Sequence, residues 1–299
     1  MVEKKEDMDL PRDICIDILK RLPIRDVLSC KCVCKLLRDL IKSDDFAALY
    51  TPEPGLAFAH RDKGYIVTDE ACRPLSRFVL SPSNHDSGNA VLDSTDGLIL
   101  IWEGGELLFI CNPMTGEYVQ LPPSPLSGFI YGFGLSRLSR QYKILSGAEG
   151  SRSCYVYILE RGKSGLWRSV APEAPGIPIF PSDIAAFLNG NLHWLASKSG
   201  ENFFVCCFDL ETELCSGFSL PDRDYNDDYN HEYHLRTLES RLCLCDAVDE
   251  HLGVAIWWMD DYGDDNSWVK VYSIHRLEVS PTIYGVVYPL RVFANGDLL

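Results

Sequence analysis

Apolar positions recur along this chain with two different rhythms. Between residues 8 and 50, Ile14, Ile18, Leu19 and Leu22 fall at i, i+4, i+5 and i+8, a helical spacing that predicts one apolar face. Pro11 suits a first helical turn, Asp13 favours its positive end, and Lys20 and Arg21 favour its negative end. Pro23 stops it, and a second series follows at Val27, Leu28, Val33, Leu37, Leu40 and Ile41. Short helices in so little chain bury little surface against one another. Such a unit finishes its core on a partner, or else caps the rest of its own chain.

Beyond Pro52 the rhythm shortens. The runs GLILIW, ELLFIC, SCYVYIL, NFFVCCF, RLCLC, VAIWW and WVKVYSI are rich in β-branched and aromatic residues, and Gly, Asn, Asp and Pro punctuate them. They predict strands, and no helical period intervenes. The strand region also repeats. FICNPMTGEYVQLP at 109–122 matches FVCCFDLETELCSGFSLP at 204–221, with Thr115 and Thr212 97 residues apart. Alternating with these are YVYILERGKSGLWRSV at 155–170 and AIWWMDDYGDDNSWVKVYSI at 255–274, whose Trp167 and Trp268 lie 101 apart. Two units in each such interval give about 49 residues per unit, the size of one four-stranded propeller blade. FANGDL near the end echoes FLNGNL at 187–192, so the chain stops where a further blade should begin, an expected open edge from a shortened C-terminus. The expected class is an α+β multidomain protein, a small helical domain at 8–50 and an all-β, propeller-like repeat domain at 51–299. A β-sandwich is the alternative.

Charge sharpens this picture. The net charge is −15, yet residues 1–50 hold ten Lys/Arg and ten Asp/Glu, so the whole deficit lies in the strand region. From Asp222 to Asp265 thirteen acidic side chains face three basic ones. That field disfavours nucleic-acid phosphates and anionic membranes as partners. No apolar run is long enough to span a bilayer, and MVEKKEDMDLPRD lacks the apolar core of a secretory signal. Twelve cysteines without such a signal are expected to be free thiols in the cytosol or nucleus.

The string LPRDICIDILKRLPIRDVLSCKCVCKLLRDLIKSDDF resembles the F-box: Leu10, Pro11, Asp13, Ile18, Leu19, Arg21, Leu22, Pro23, Val33, Cys34, Lys35, Leu40 and Ile41 stand where that pattern has them. Leu37 replaces its usual Trp, removing aromatic contact area. The strand region resembles the F-box-associated domain of large plant families. The matching features are Gly97-Leu98, the Asn112-Pro113-Met114-Thr115-Gly116 turn, Phe208-Asp209-Leu210-Glu211-Thr212-Glu213, and Ser267-Trp268-Val269-Lys270 through Ile274. These resemblances imply a non-catalytic substrate receptor of a Skp–cullin–F-box ubiquitin ligase. Its expected adaptor-binding residues are Leu10, Pro11, Ile18, Leu19, Leu22, Pro23, Ile24, Val33, Leu37, Leu40 and Ile41. The alternatives are a ligand- or glycan-binding propeller with a non-functional helical appendage, and a propeller hydrolase using paired carboxylates.

Other chemistry is weakly signalled. Cys30, Cys32 and Cys34, read as helical neighbours, point apart and do not converge on a metal. Cys206-Cys207 and Cys243-x-Cys245 lie in strand runs, the latter two sharing one face. His231-Glu-Tyr-His234 misses the spacing of a zinc protease and is expected in a polar loop. No nucleophile motif accompanies His193, and no cofactor motif is present. The expected target-binding set is Trp257, Trp258 and Tyr262 with Asp260, Asp261, Asp264 and Asp265, which suits a basic peptide.

Overall fold

The computed structural model describes residues 10–274 except 51–54, 61–63, 70–71, 81–87, 105–106, 126–128, 148–153, 160–164, 171–176, 179–183, 198–202, 222–230 and 249–252. The expected open C-terminal edge lies outside the described residues. Contacts divide the chain into two compact units, residues 1–91 with 111–119, and residues 92–110 with 120–299.

Four short helices open the chain: α1 (Arg12–Leu19), α2 (Ile24–Cys30), α3 (Lys35–Ile41) and α4 (Asp44–Leu49). Pro11 and Pro23 precede α1 and α2, where a missing N–H costs nothing. Ser43 caps α4 by accepting from the Phe46 amide at 3.3 Å. Their common core is Cys15, Ile16, Leu19, Val27, Leu40 and Phe46. The expectation of one face at Ile14, Ile18, Leu19 and Leu22 is thereby corrected: Leu19 is buried and Leu22 half-buried, but Ile14 and Ile18 are exposed. Ile14 and Ile18 repeat at i+4 on their own and form a second apolar stripe. Cys30, Cys32 and Cys34 do not share a helix either, because α2 ends at Cys30 and Cys34 caps α3.

Apart from a 3₁₀ turn at Asp265–Ser267, the remaining regular structure among the described residues is strands in five local sheets. The first sheet is β1 (Leu56–His60), β2 (Gly64–Thr68) and β3 (Pro74–Phe78); the second is β4 (Asn89–Thr95), β5 (Leu98–Glu103), β6 (Leu107–Asn112) and β7 (Glu117–Gln120). The third holds β8 (Phe129–Leu135), β9 (Tyr142–Gly147), β10 (Cys154–Leu159) and β11 (Trp167–Val170). The fourth holds β12 (Ile177–Pro178), β13 (Ala186–Leu188), β14 (Asn191–Ser197), β15 (Phe203–Asp209) and β16 (Cys215–Ser219). The fifth is β17 (His231–Leu238), β18 (Arg241–Val248), β19 (Gly253–Met259) and β20 (Trp268–Ile274). Successive sheets built from chain-adjacent strands are propeller blades, and they exclude the sandwich alternative, whose two large sheets exchange strands. Every run expected to be a strand is one. His231-Glu-Tyr-His234 is also a strand, the start of β17 paired with β18, and not a loop; its polar flanks hid an alternation in which Tyr233 and Leu235 point into the core.

The repeats have structural causes. Asn112 Oδ1 accepts from the amides of Met114 and Thr115 at 3.0 and 3.2 Å, and Asp209 Oδ1 accepts from Glu211 and Thr212 at 2.7 and 3.2 Å. Both are the same side-chain-built turn, and each closes on a left-handed residue, Gly116 at φ 72° and Glu213 at φ 60°. In the other repeat, Trp167 Nε1 donates to the Pro122 carbonyl at 2.9 Å and Trp268 Nε1 to that of Ser219 at 3.0 Å. Each tryptophan stands on the last strand of its sheet and staples it to the exit of the preceding one. Between the third and fourth sheets, buried Lys143 donates to the Leu210 carbonyl and to Glu213, at 2.8 Å, and Arg168 also donates to Glu213. Apolar side chains fill the same seam, with Leu145 and Val156 of the third sheet against Leu192, Cys206 and Phe208 of the fourth.

Candidate interaction surfaces

The helical unit closes its core without using its whole apolar inventory. Leu10, Ile14, Ile18, Val33 and Leu36 remain exposed at 53, 46, 47, 71 and 46%. Of the residues expected to bind an adaptor, Leu10, Pro11, Ile18, Pro23 and Val33 are exposed. Leu19 and Leu40 are core, while Leu22, Ile24, Leu37 and Ile41 are half-buried. Ile14 and Leu36, outside the expected set, are exposed as well, and the i+4 spacing of Ile14 with Ile18 is visible in the sequence.

The fifth-sheet residues separate. Trp257 packs towards Leu235, Leu244 and Met259, with the Lys270 ammonium 5.6 Å from its ring centroid. Trp258 takes the opposite face, where the Arg241 guanidinium lies 4.9 Å from its centroid and Tyr272 meets it edge-on. Cations of the same sheet thus already cover one face of each ring. Asp260, Asp261, Asp264 and Asp265 stay together, exposed, on the β19–β20 loop. The loop is ordered from within: Asp264 Oδ1 accepts from the Asn266 amide at 2.9 Å, and Ser267 Oγ donates to the Asp261 carbonyl at 2.9 Å. Asp260 lies 3.7 Å from Arg241.

Tyr262 turns inward to a buried histidine. His193 Nδ1 is 3.0 Å from the Ala186 carbonyl, which only accepts, so Nδ1 carries the proton. Its Nε2 therefore accepts from the Tyr262 hydroxyl at 2.8 Å, and that hydroxyl accepts from Asn191 Nδ2 at 2.9 Å. Burial holds the imidazole down at about 4 and pushes the phenol up. Asp93 is perturbed the other way. Desolvation raises its carboxyl to about 7, against hydrogen bonds from the Phe133 and Ser94 amides and the charge of Arg236.

These two groups predict opposing pH dependences. Unfolded His193 binds a proton between about pH 4 and 6.5 that the folded form refuses, so its contribution to stability rises with pH by roughly 3 kcal/mol across that window. Folded Asp93 keeps a proton that the unfolded chain releases near 3.8, so its contribution falls from about pH 4 to 7. The two shifts are of similar size, so the two contributions nearly cancel across this window. Against the wild-type denaturant titration over this range, His193→Asn should shift the slope towards a fall with pH and Asp93→Asn towards a rise; parallel slopes in all three proteins would refute the assignment.

Comparison with known proteins settles the lineage. The F-box associated beta propeller domain matches residues 67–287, and the F-box domain matches residues 8–48. The chain belongs to the F-box-associated β-propeller family. Among curated relatives, one F-box protein from Arabidopsis thaliana is 25% identical across the whole of this chain and 78% of its own length. From the same organism, F-box protein CPR1 is 23% identical over 89% of this chain and 73% of its own, and F-box protein DOR 27% over 69% and 60%. Of solved structures, the WD40 domain of SCAP from fission yeast matches 74% of this chain and 49% of that one, at 13% identity and a TM-score of 0.42. YCF48 bound to D1 peptide matches 76% and 72%, at 12% identity and a TM-score of 0.41. Scores this low carry no functional weight.

The F-box and its five-blade propeller account for the sequence resemblances residue by residue. Leu37, which replaces the usual F-box tryptophan, is half-buried against the F-box's own core, and Cys34 Sγ accepts from its amide at 3.5 Å. The lost aromatic area therefore falls partly on internal packing. Cys243 and Cys245 do share one face, fully buried beside Ile256. No group of His, Cys, Asp and Glu among the described residues is arranged to hold a metal. No described helix is long and apolar enough to cross a membrane.

Proposed function

We propose that this chain is the substrate-binding subunit of a Skp–cullin–F-box ubiquitin ligase. It makes and breaks no bond; it raises the effective concentration of a target lysine near the charged ubiquitin-conjugating enzyme. The observation that carries this reading is the exposed set Leu10, Pro11, Ile14, Ile18, Val33 and Leu36 on an F-box whose core is complete without it. A Skp-type adaptor buries that set, and the cullin follows through the adaptor. The propeller holds a protein target, and its exposed Asp260, Asp261, Asp264 and Asp265 loop favours a basic segment. Coexpression with the adaptor, followed by gel filtration and calorimetry, tests the reading. A stable complex of one chain with one adaptor supports it, and a folded chain that ignores the adaptor removes it.

A further inference from the structure

The F-box is not merely appended to the first blade. Arg25 of α2 reaches across 49 residues of sequence and donates from Nη2 to the Pro74 carbonyl at 2.9 Å, while the same nitrogen lies 4.0 Å from Asp69 Oδ2. Its receiving side is rigid. Asp69 is 8% exposed and accepts from the Arg73 amide at 2.8 Å and from Arg73 Nε at 2.7 Å. The turn between β2 and β3 is closed further by the Cys72 amide on the Asp69 carbonyl at 3.0 Å, with Cys72 in the left-handed region at φ 58°. On the helical side, Arg25 is two residues from Val27, which is 1% exposed in the F-box core. Both anchors of the contact are therefore fixed before it forms. Lys31, just after α2, is half-buried; desolvation and the neighbouring Lys42 lower its ammonium, against the charge of Glu117, the first residue of β7.

An isolated surface ion pair contributes little. This one differs in its receiving side: Arg25 is half in solvent, but its Nη2 donates to a backbone carbonyl of the first blade, and the Asp69 carboxylate 4.0 Å away is largely withdrawn from water and already held by Arg73. We infer that Arg25, seated on the Pro74 carbonyl and Asp69, is a positioning residue that fixes the direction in which the first blade presents the F-box. The inference deepens the receptor reading above and rests on it for its purpose. A receptor that only tethers works with a loose joint. One that aims a bound target gains from a stiff joint, because effective concentration depends on how few orientations the linkage samples.

The test measures the joint itself. Spin labels on non-canonical residues replacing exposed Lys35 and Arg77 report the distance between α3 and β3, in the free chain and in its complex with the Skp adaptor. The unaltered Arg25 protein is expected to give one narrow distribution in both. Arg25→Ala should broaden it while leaving adaptor affinity within about twofold, since Arg25 stands outside the exposed apolar set. Arg25→Lys, which keeps the charge but not the guanidinium's reach to the Pro74 carbonyl, should fall between them. An unchanged distribution in Arg25→Ala overturns the inference, as does a broad one with Arg25 intact. So does a large loss of adaptor affinity at constant distances, which would place Arg25 in the adaptor interface instead. Failure of the unaltered chain to bind the adaptor refutes the receptor reading alone, because the free-chain distances still report the joint.

Discussion

Replacing Ile18 by aspartate is expected to weaken binding of the Skp adaptor at least about 100-fold while the chain stays folded. Ile18 is 47% exposed and contributes nothing to the F-box core, so the substitution costs the fold only a helix-propensity difference of about half a kcal/mol. In the complex the same carboxylate must be desolvated against apolar groups with no partner, a cost far above the lost isoleucine contact. Leu19→Asp is the contrasting control. Leu19 is 2% exposed at the centre of that core, and its replacement should unfold the helices and abolish binding indirectly. Leu22 is half-buried, so a charge there confuses the two effects. Calorimetry with the adaptor, paired with thermal unfolding, separates them. Ile18→Asp with undiminished affinity would remove α1's outer stripe from the adaptor surface.

The second large effect is on stability. Glu213→Gln should cost about 3 kcal/mol, because it strips the counter-charge from a buried ammonium instead of removing the pair. Lys143 is only 4% exposed along its side chain and Glu213 12%. Arg168, the other partner, is half in solvent and cannot replace a carboxylate. For a chain of this size the loss corresponds to a fall in Tm of roughly 5 °C. Lys143→Met combined with Glu213→Gln should recover most of it, since the unpaired charge then disappears. Burial works against ionised Glu213, but hydrogen bonds from Arg168 and Lys143 outweigh it and hold the carboxyl below the usual glutamate range. Its contribution is thus complete above the ordinary pKa of about 4.3 and is lost as pH falls through the lower folded value. Glu213→Gln should flatten that acid-side slope. An unaltered Tm would mean that the seam between the third and fourth blades is held by its apolar contacts alone.

Local rules made much of the fold legible. Strand runs, the Asn112 and Asp209 turns and the spacing of Trp167 and Trp268 are short-range patterns, and the structure explains each by a contact inside a blade or to the preceding one. What failed to show in the sequence depends on pairings at a distance. Lys143 and Glu213 are 70 residues apart, and Tyr262 finds His193 69 residues away. Nothing around Tyr262 distinguishes a rim aromatic from one whose hydroxyl completes a buried imidazole. For α1 the difficulty was different. A helix with two apolar stripes scores as amphipathic either way, and only packing reveals that Leu19 faces inward and Ile18 outward. His231 to His234 were misread because polar neighbours masked a period of two.

The tie between Arg25 and the Asp69–Pro74 turn also bears on the order of synthesis. The F-box core and its anchorage draw on residues 10–74, about a quarter of the chain. On the receptor reading proposed above, a growing polypeptide delivers its docking end first and the sheets for its target later. A chain interrupted midway would then carry a complete docking end and an empty grip, occupying adaptor without delivering anything to it. Timely completion of the propeller would, on that reading, matter to every receptor that shares the same adaptor pool.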